Sequence, residues 1–412
     1  MVSKAQRNKS GTFDAIIIGG GMVGATIAAG LGKAGISCAL VEKNPPKQKP
    51  VDDIGLRVSA ITLASQRILT HVGAWPMIEH MRARPFTEMQ VWDQQGFGSI
   101  HFDCADVGEP VMGHIVENDI IVAALWKTLS AASSVTSYSP ASVENIQRDG
   151  DKMQITLSNG SVIRSDLLIG AEGANSLVRE FSGIKLKVSD YKQSAIVANV
   201  KTGLWHRDTA WQRFTPTGPL AFLPVSDELC SIVWSNDTSR AEELMALDEA
   251  EFCKSLYAAF DGRLGALQLV SKRAAFPLIK RHAVDYVQPG LALAGDAAHT
   301  VHPLAGQGVN LGLADAAVLI EELVHAVARG QSPGDYAVLR RYQRRRKGDN
   351  LLMQNSMSAF KHLFGSTLPP VGFARSLGMD ITNRISPLKN LINRFAMGLE
   401  GNLSDMAKPP PR

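Results

Sequence analysis

Three clusters of residues in this chain have the types and spacing to do chemistry. Gly19-Gly20-Gly21-Met22-Val23-Gly24 follows the apolar run Phe13–Ile18 and spells G-x-G-x-x-G. In that pattern Gly19 makes a tight turn, Gly21 lets a pyrophosphate approach the backbone, and Gly24 lets helix and strand pack closely. The helix starting there offers unpaired N–H groups and the positive end of its dipole to phosphate. Glu42, eighteen residues beyond Gly24, stands where a carboxylate accepts hydrogen bonds from a ribose. A glycine turn that binds nothing is the bland alternative; strand, helix and acid in register argue against it.

The fingerprint alone does not separate FAD from NAD. Two later clusters do. Leu291–Ala294 reads as a buried strand ending in Gly295-Asp296, and Pro303-Leu-Ala-Gly306-Gln-Gly308-Val309-Asn310 opens a long helix. A carboxylate just past a strand end suits ribityl hydroxyls, and a glycine-flanked helix start suits the electron-rich pyrimidine edge of a flavin. His299 and His302 are candidates for general bases or for structural hydrogen bonding, and no further ligand clusters near them to make a metal site.

Positioning these clusters requires a particular order of elements. Phe13–Ile18, Gly24–Ala34 and Ser37–Glu42 read as a βαβ unit, followed by a Pro/Lys-rich loop from Asn44 to Asp53. Residues 59–82 read as helical, 86–103 as strands, and Ile120–Ser130 as a helix. A hairpin is expected around Asn159-Gly160, then a buried strand at Leu167–Ile169 and a meander of antiparallel strands across 194–235. From 313 onward the pattern is helical. The uncharged run Ala15–Gly32 has the length of a membrane span, but three consecutive glycines would break it, so strand, turn and helix are expected instead.

Composition narrows the class further. With 412 residues, 45% hydrophobic and 20% charged, the chain is an ordinary globular sequence long enough to enclose a ligand. A net charge of +4 is thin for a nucleic-acid binder. Cys38, Cys104, Cys230 and Cys253 lie far apart, which fits a reducing compartment and no zinc site. No signal peptide is read, so a cytoplasmic protein is expected.

The glycine and acid clusters, with Ile169-Gly-Ala-Glu-Gly-Ala-Asn-Ser-Leu-Val-Arg179 between them, resemble the three motifs of class A flavoprotein aromatic hydroxylases, the para-hydroxybenzoate hydroxylase superfamily. Leu56–Ile61, Gly113–Asn118, Leu220–Asp227, Cys230–Trp234, Ala259–Gly265 and Gly295–Gly312 look like the ubiquinone-biosynthesis hydroxylases, nearest to those acting on 2-octaprenylphenol. The resemblance runs from about Phe13 to about Leu399. Where the family reads Asp-Gly, this chain has Glu172-Gly173, so no precise role is carried onto Glu172.

The resemblance implies an α/β fold, with a Rossmann-like FAD-binding domain of para-hydroxybenzoate hydroxylase type. Residues 1–82, 113–186 and 286–340 would form that domain. Residues 83–112 and 187–285 would form an antiparallel-sheet substrate domain, and 341–412 the C-terminal helices. It implies FAD as cofactor and NAD(P)H as transient co-substrate. Dioxygen would add at flavin C4a, and the hydroperoxide would hydroxylate a polyprenylphenol ring. Arg57, Gly173, Asp296, Gly306, Gly308, Val309 and Asn310 would join Gly19, Gly21, Gly24 and Glu42 around FAD, with Pro303 and His299 near the flavin. No protein acid or base is named, because the flavin carries the chemistry. Phe222-Leu223-Pro224 would wall the substrate, or serve as ordinary sheet core. Two rivals stand beside this reading: a hydroxylase of another phenol or a later ring position, and a flavoprotein scaffold without catalysis.

Two charge patterns remain. Arg340, Arg341, Arg344, Arg345, Arg346 and Lys347 are expected to form a solvated helical face. Leu377, Ile381, Ile385, Leu388, Ile392, Phe395 and Leu399 form an apolar stripe flanked by Arg375, Arg384, Lys389 and Arg394. Packing on the core or on a partner subunit is one expectation. The other is contact with the inner face of a membrane, where other ubiquinone-biosynthesis proteins could also be met.

Overall fold

In a computed structural model the chain is described over residues 11–46, 54–300 and 308–409. The uncharged run near the N-terminus resolves into strand Thr12–Ile18, a glycine turn, and helix Met22–Lys33. Ile16 and Ile17 are fully buried, so both faces of this strand are covered and the sequence runs apolar instead of alternating. Such burial contributes roughly 1.5–3 kcal/mol per side chain. Among the described residues no helix is long and apolar enough to cross a membrane.

Thr12–Ile18 lies between Cys38–Val41 and Val162–Gly170, parallel to both. Val135–Tyr138 extends the sheet on one side and Leu291–Leu293 on the other, again parallel. Strands distant in sequence therefore become neighbours, which places the three glycine-bearing turns along one edge of the sheet. Helix Gly308–Ala328 packs on Met22–Lys33 closely enough that a Cβ on Gly30 would meet Ile320 Cδ1 at 2.5 Å.

A second sheet carries, in order, His299–Thr300, Ala274–Ala283, Leu186–Thr202, Leu229–Asp237, Gly218–Pro224, Thr209–Thr215, Glu88–Asp93 and Ser99–Asp103. It is antiparallel except where Thr209–Thr215 runs parallel to Glu88–Asp93. Helices Thr238–Ala246 and Glu249–Ala259 cover one of its faces. The expectation of helix across 59–82 is corrected at its start. Val58–Thr62 is a strand paired with Gly113–Glu117, and only then do helices Leu63–His71 and Trp75–Arg82 follow. Thr62 ends the strand and caps the first helix, its hydroxyl accepting from the Ser65 N–H.

Helix Tyr336–Gly365 runs straight through the division expected at 340/341. Its basic run is a solvated face only at Arg340 and Arg344, which are exposed. Arg341 and Arg345 pair with Glu322, Arg345 also with Glu321, and Arg346 is buried against Asp315. The acids lie on Gly308–Ala328, so the run joins two helices.

From Leu377 to Phe395 the apolar stripe falls on helices Pro369–Arg384 and Ser386–Ala396 and their junction, and lies largely off the chain's own core. Leu399, past the second helix, packs instead against the core around Phe86 and Met397. Leu377, Ile381, Ile385, Leu388, Ile392 and Phe395 are between 39% and 56% exposed. The buried sides present Arg375, Ser376, Met379 and Asn393 instead. All four flanking cations are paired: Arg375 with Asp93, Arg384 with Asp380, Lys389 with Asp106, and Arg394 with Glu400.

Candidate flavin site

The N-terminal glycines divide their work by geometry. Gly19 sits at φ +100°, and a Cβ there would lie 2.6 Å from the Ala171 carbonyl oxygen. A Cβ on Gly24 would lie 1.9 Å from the Gly19 carbonyl oxygen, so helix and turn touch backbone to backbone. A Cβ on Gly21 would meet nothing within 4 Å. Gly21 lines a cleft, and no side chain caps the helix it begins. This is the shape a pyrophosphate needs: open space in front of free N–H groups.

Glu42 is committed to shaping the turn. Its Oε2 accepts from the Gly20 N–H at 2.6 Å and its Oε1 from the Asn44 N–H at 2.8 Å. The Trp126 indole N–H donates to the Gly20 carbonyl at 2.8 Å from the other side. A carboxylate has about four lone-pair sites, so capacity for ribose hydroxyls remains.

Across the cleft stand Arg57, Gly173, Gly295, Asp296, Gly308, Val309 and Gly312. The Arg57 guanidinium lies 5.5 Å from the centre of the Phe276 ring. Asp296 follows strand Leu291–Leu293 in a single turn, and its side chain opens to the cleft while protein surrounds its base. Burial raises its carboxyl above the ordinary range against the opposing charges of His299, Arg57 and Arg281. Asn310 is turned away from a ligand role: its Oδ1 accepts from the Thr62 N–H at 3.1 Å, and its Nδ2 donates to the Ala60 carbonyl at 2.8 Å. It staples the start of Gly308–Ala328 to strand Val58–Thr62. His302, Pro303 and Gly306 lie outside the described residues.

The middle motif explains its own departure. Glu172 Oε1 accepts from the Val178 N–H and the Ser176 hydroxyl, both at 2.8 Å, and so caps helix Leu177–Ser182. Gly173, at φ +90°, turns the chain past the cleft. Arg179, the last residue of this motif, joins it to the third motif. Its guanidinium donates to the carbonyls of Ala174 and Ala297, each at 2.8 Å.

His299 is not placed as a base in the cleft. It is 2% exposed and bonded to Asp315 and Asn350. Nor does Phe222 wall a substrate: it is fully buried against Phe260, with ring centroids 4.0 Å apart, under the covering helices. Leu223 turns to the opposite side of the sheet, as strand alternation requires, and it and Pro224 are buried. The cleft's sheet wall is instead Ala195, Val197, Ser231, Val233, Phe276 and Arg281. The two-residue spacing of 195/197 and 231/233 was the available signal for a shared face. Ser231 is buried, and its hydroxyl has no hydrogen-bond partner.

A nucleotide cradle on a parallel sheet, facing an antiparallel apolar wall, defines a flavin-dependent hydroxylase of the para-hydroxybenzoate type. Comparison with known proteins agrees. A family described as FAD binding domain matches residues 12–351. The chain is 41% identical to 3-demethoxyubiquinol 3-hydroxylase of Escherichia coli (strain K12), covering 93% of this chain and 98% of that protein. It is 38% identical to ubiquinone hydroxylase UbiL of Rhodospirillum rubrum, covering 93% and 89%. The crystal structure of p-nitrophenol 4-monooxygenase PnpA from Pseudomonas putida DLL-E4 shares the fold at a TM-score of 0.77 and 20% identity, over 95% of this chain and 99% of that one. The chain belongs to the FAD-dependent hydroxylases of ubiquinone biosynthesis within this family. It is an FAD-dependent monooxygenase.

Proposed function

We propose that this monooxygenase hydroxylates the ring of a phenol or quinol that carries a polyprenyl tail. The observation that carries this reading is the Ser231 hydroxyl: buried, without a partner, and set among the apolar Ala195, Val197, Val233 and Phe276 of a cleft wall whose one charged member is Arg281. An unpaired buried hydroxyl costs about 1–3 kcal/mol, which a ring hydroxyl of the substrate would relieve. Ala195, Val197, Val233 and Phe276 would press on the ring faces and exclude water.

On this reading Gly21 and the start of Met22–Lys33 hold the pyrophosphate of FAD, Glu42 the ribose, and Asp296 the ribityl chain. Arg57 and Gly173 lie along the cofactor, and Gly308 and Val309 meet its ring. FAD, reduced by NAD(P)H, supplies the activation of dioxygen. The protein's share is to orient the ring and keep the pocket dry.

Two substrates compete within this class. The sequence motifs favour a 2-polyprenylphenol; the 41% identical relative, by its name, acts on a 3-demethoxyubiquinol and favours a later ring position. We also place the exposed faces of Pro369–Arg384 and Ser386–Ala396 at the membrane surface, where a tailed substrate dissolves. Identifying the products formed from tailed 2-polyprenylphenol, tailed 3-demethoxyubiquinol and their untailed analogues tests the reading. Equal turnover of untailed rings would overturn it, and Ser231→Ala should raise KM for the tailed substrate while leaving bound flavin intact.

A further inference from the structure

Strand Ala274–Ala283 serves two cavities. Phe276 and Arg281 line the flavin cleft, whereas Lys280 and His282 line a separate recess of about 670 Å³. Strand Leu186–Thr202 and helix Tyr336–Gly365 complete its walls.

Four lysines line this recess: Lys187, Lys280, Lys347 and Lys361. The single carboxylate among its lining residues, Asp190, is taken by Lys192 at 2.9 Å. The lysines rest mainly on neutral groups. Lys280 donates to Asn355 Oδ1 at 3.2 Å and to Ser358 Oγ at 3.3 Å, Lys361 to the Tyr191 carbonyl at 2.6 Å, and Lys347 to the Val284 carbonyl. Asp285 stands 3.9 Å from Lys347; among the described residues no carboxylate forms an ion pair with Lys280 or Lys361, Asp190 and Asp237 acting on Lys361 only from farther away. The contrast with Arg341, Arg345 and Arg346 on the same helix is direct, since each of those meets an acid.

His282 supplies an independent sign of a ligand. It is 5% exposed and lines the recess, and neither ring nitrogen makes a hydrogen bond of ordinary geometry, the Gln354 carboxamide being the side chain nearest to serving as its partner. Gln354 lines the same space, and its amide N–H groups are committed to the Arg281 and Thr300 carbonyls, which leaves its oxygen for His282. Burial first, then the neighbouring charges, lower the His282 pKa to about 4, so the ring is neutral and presents one donor and one acceptor.

We propose that this recess binds the phosphate groups of an anionic ligand of nucleotide size. The lysine ammonium groups supply charge and the His282 ring N–H a directed hydrogen bond. Phosphate oxygens accept from several such donors at once, and the volume lies within the range of small-molecule sites. Two sources share this chemistry. One is a soluble nucleotide. The other is a phospholipid headgroup, since Phe360 and Leu363, beside Lys361 and His362, are exposed and apolar.

The test uses the flavin-saturated protein, so that the cleft cannot take up the probe. Inorganic pyrophosphate and ADP are titrated by calorimetry, and phosphatidylcholine vesicles with and without phosphatidylglycerol are tested by flotation. Binding of at least one probe is expected. Lys280→Glu and Lys361→Glu should each weaken it by about tenfold or more, with bound-flavin absorbance unchanged. Lys187→Glu gives the same comparison at an exposed position that packing does not constrain. Loss with pyrophosphate and ADP assigns a soluble source; loss confined to phosphatidylglycerol vesicles assigns the headgroup. No binding of any probe, or binding indifferent to all three charge reversals, overturns the proposal.

Discussion

His299 Nε2 lies 2.6 Å from Asp315 Oδ2, both side chains buried, and the same carboxylate oxygen accepts the Gly295 N–H at 3.1 Å. The other oxygen accepts from Arg346 Nε at 2.8 Å and Asn350 Nδ2 at 3.0 Å. One carboxylate thus ties the turn that presents Asp296 to the long helix Tyr336–Gly365.

Removing that carboxylate leaves the buried Arg346 guanidinium and the His299 ring without their acidic partner. Asp315→Asn should cost about 3–5 kcal/mol in thermal or urea unfolding and loosen FAD as the Gly295 turn relaxes. Burial alone would raise the Asp315 carboxyl, but the charges of His299 and Arg346 outweigh it and hold it well below the ordinary range. Its contribution is therefore complete above about pH 4 and lost progressively below, so the parent and the variant should converge in acid. Stability profiles that stay parallel down to the acid limit would contradict this.

Gly21 and Gly24 should fail differently. Gly21→Val faces open cleft, so the protein should fold, melt near the parent temperature and carry no flavin absorbance. Gly24→Ala drives a methyl group into the Gly19 carbonyl and should lower the melting temperature itself. Retained flavin in Gly21→Val would show that the pyrophosphate lies elsewhere.

Asp296→Ala should weaken FAD roughly 10- to 100-fold, the range of one or two lost charge-assisted bonds. Because burial raises its carboxyl, the proton returns above the usual Asp range near pH 4. Flavin affinity should then fall on mild acidification in the parent and stay flat in Asp296→Asn. Fluorescence of released flavin across pH reads this directly.

Glu172 carries the opposite sign to Asp315. Burial raises its carboxyl despite the bonds from Val178 and Ser176, so ionised Glu172 costs stability, and the cost grows as pH rises through the raised value. Glu172→Gln keeps the capping oxygen and should equal or exceed the parent in stability at pH 7, with the advantage vanishing as pH falls through about 4. Glu172→Ala should lose about 1 kcal/mol of cap without losing FAD. Flavin loss in the Ala variant would return the side chain to the cofactor.

Replacing Ile392 and Phe395 with Asp should release the protein from phosphatidylcholine liposomes while FAD stays bound. Since Arg375, Arg384, Lys389 and Arg394 all have acid partners, added salt should change this binding little. A change in oligomer size without liposome binding would reassign the face to a second copy of the chain.

Much of the cofactor half was legible because local rules and tertiary need agree there. Gly19, Gly21 and Gly24 are read from spacing, and as that spacing requires Gly19 and Gly24 press on backbone while Gly21 faces open space. The sheet wall was harder. Phe222-Leu223-Pro224 looks like a binding wall because it is aromatic and apolar, but a strand covered on both faces shows no alternation to reveal which side meets a ligand. The basic run failed for a related reason: Glu321, Glu322 and Asp315 lie on a different helix, and no spacing within Arg340–Lys347 announces them. Strand Val58–Thr62 was hidden by its helical neighbour, since its partner Gly113–Glu117 arrives only fifty residues later.

The interleaving of the parallel sheet also orders events in the making of this protein. Thr12–Ile18 emerges first from synthesis, yet its neighbour Val162–Gly170 and the flanking Leu291–Leu293 come much later. Gly308–Gly312, which close the far side of the cleft, come later still. Until then the N-terminal βαβ unit has an unpaired strand edge and nowhere to seat a cofactor, a topology that folds slowly and invites chaperones. Flavin is thus acquired near the end of synthesis, and a nascent chain halted before Leu291 should emerge colourless.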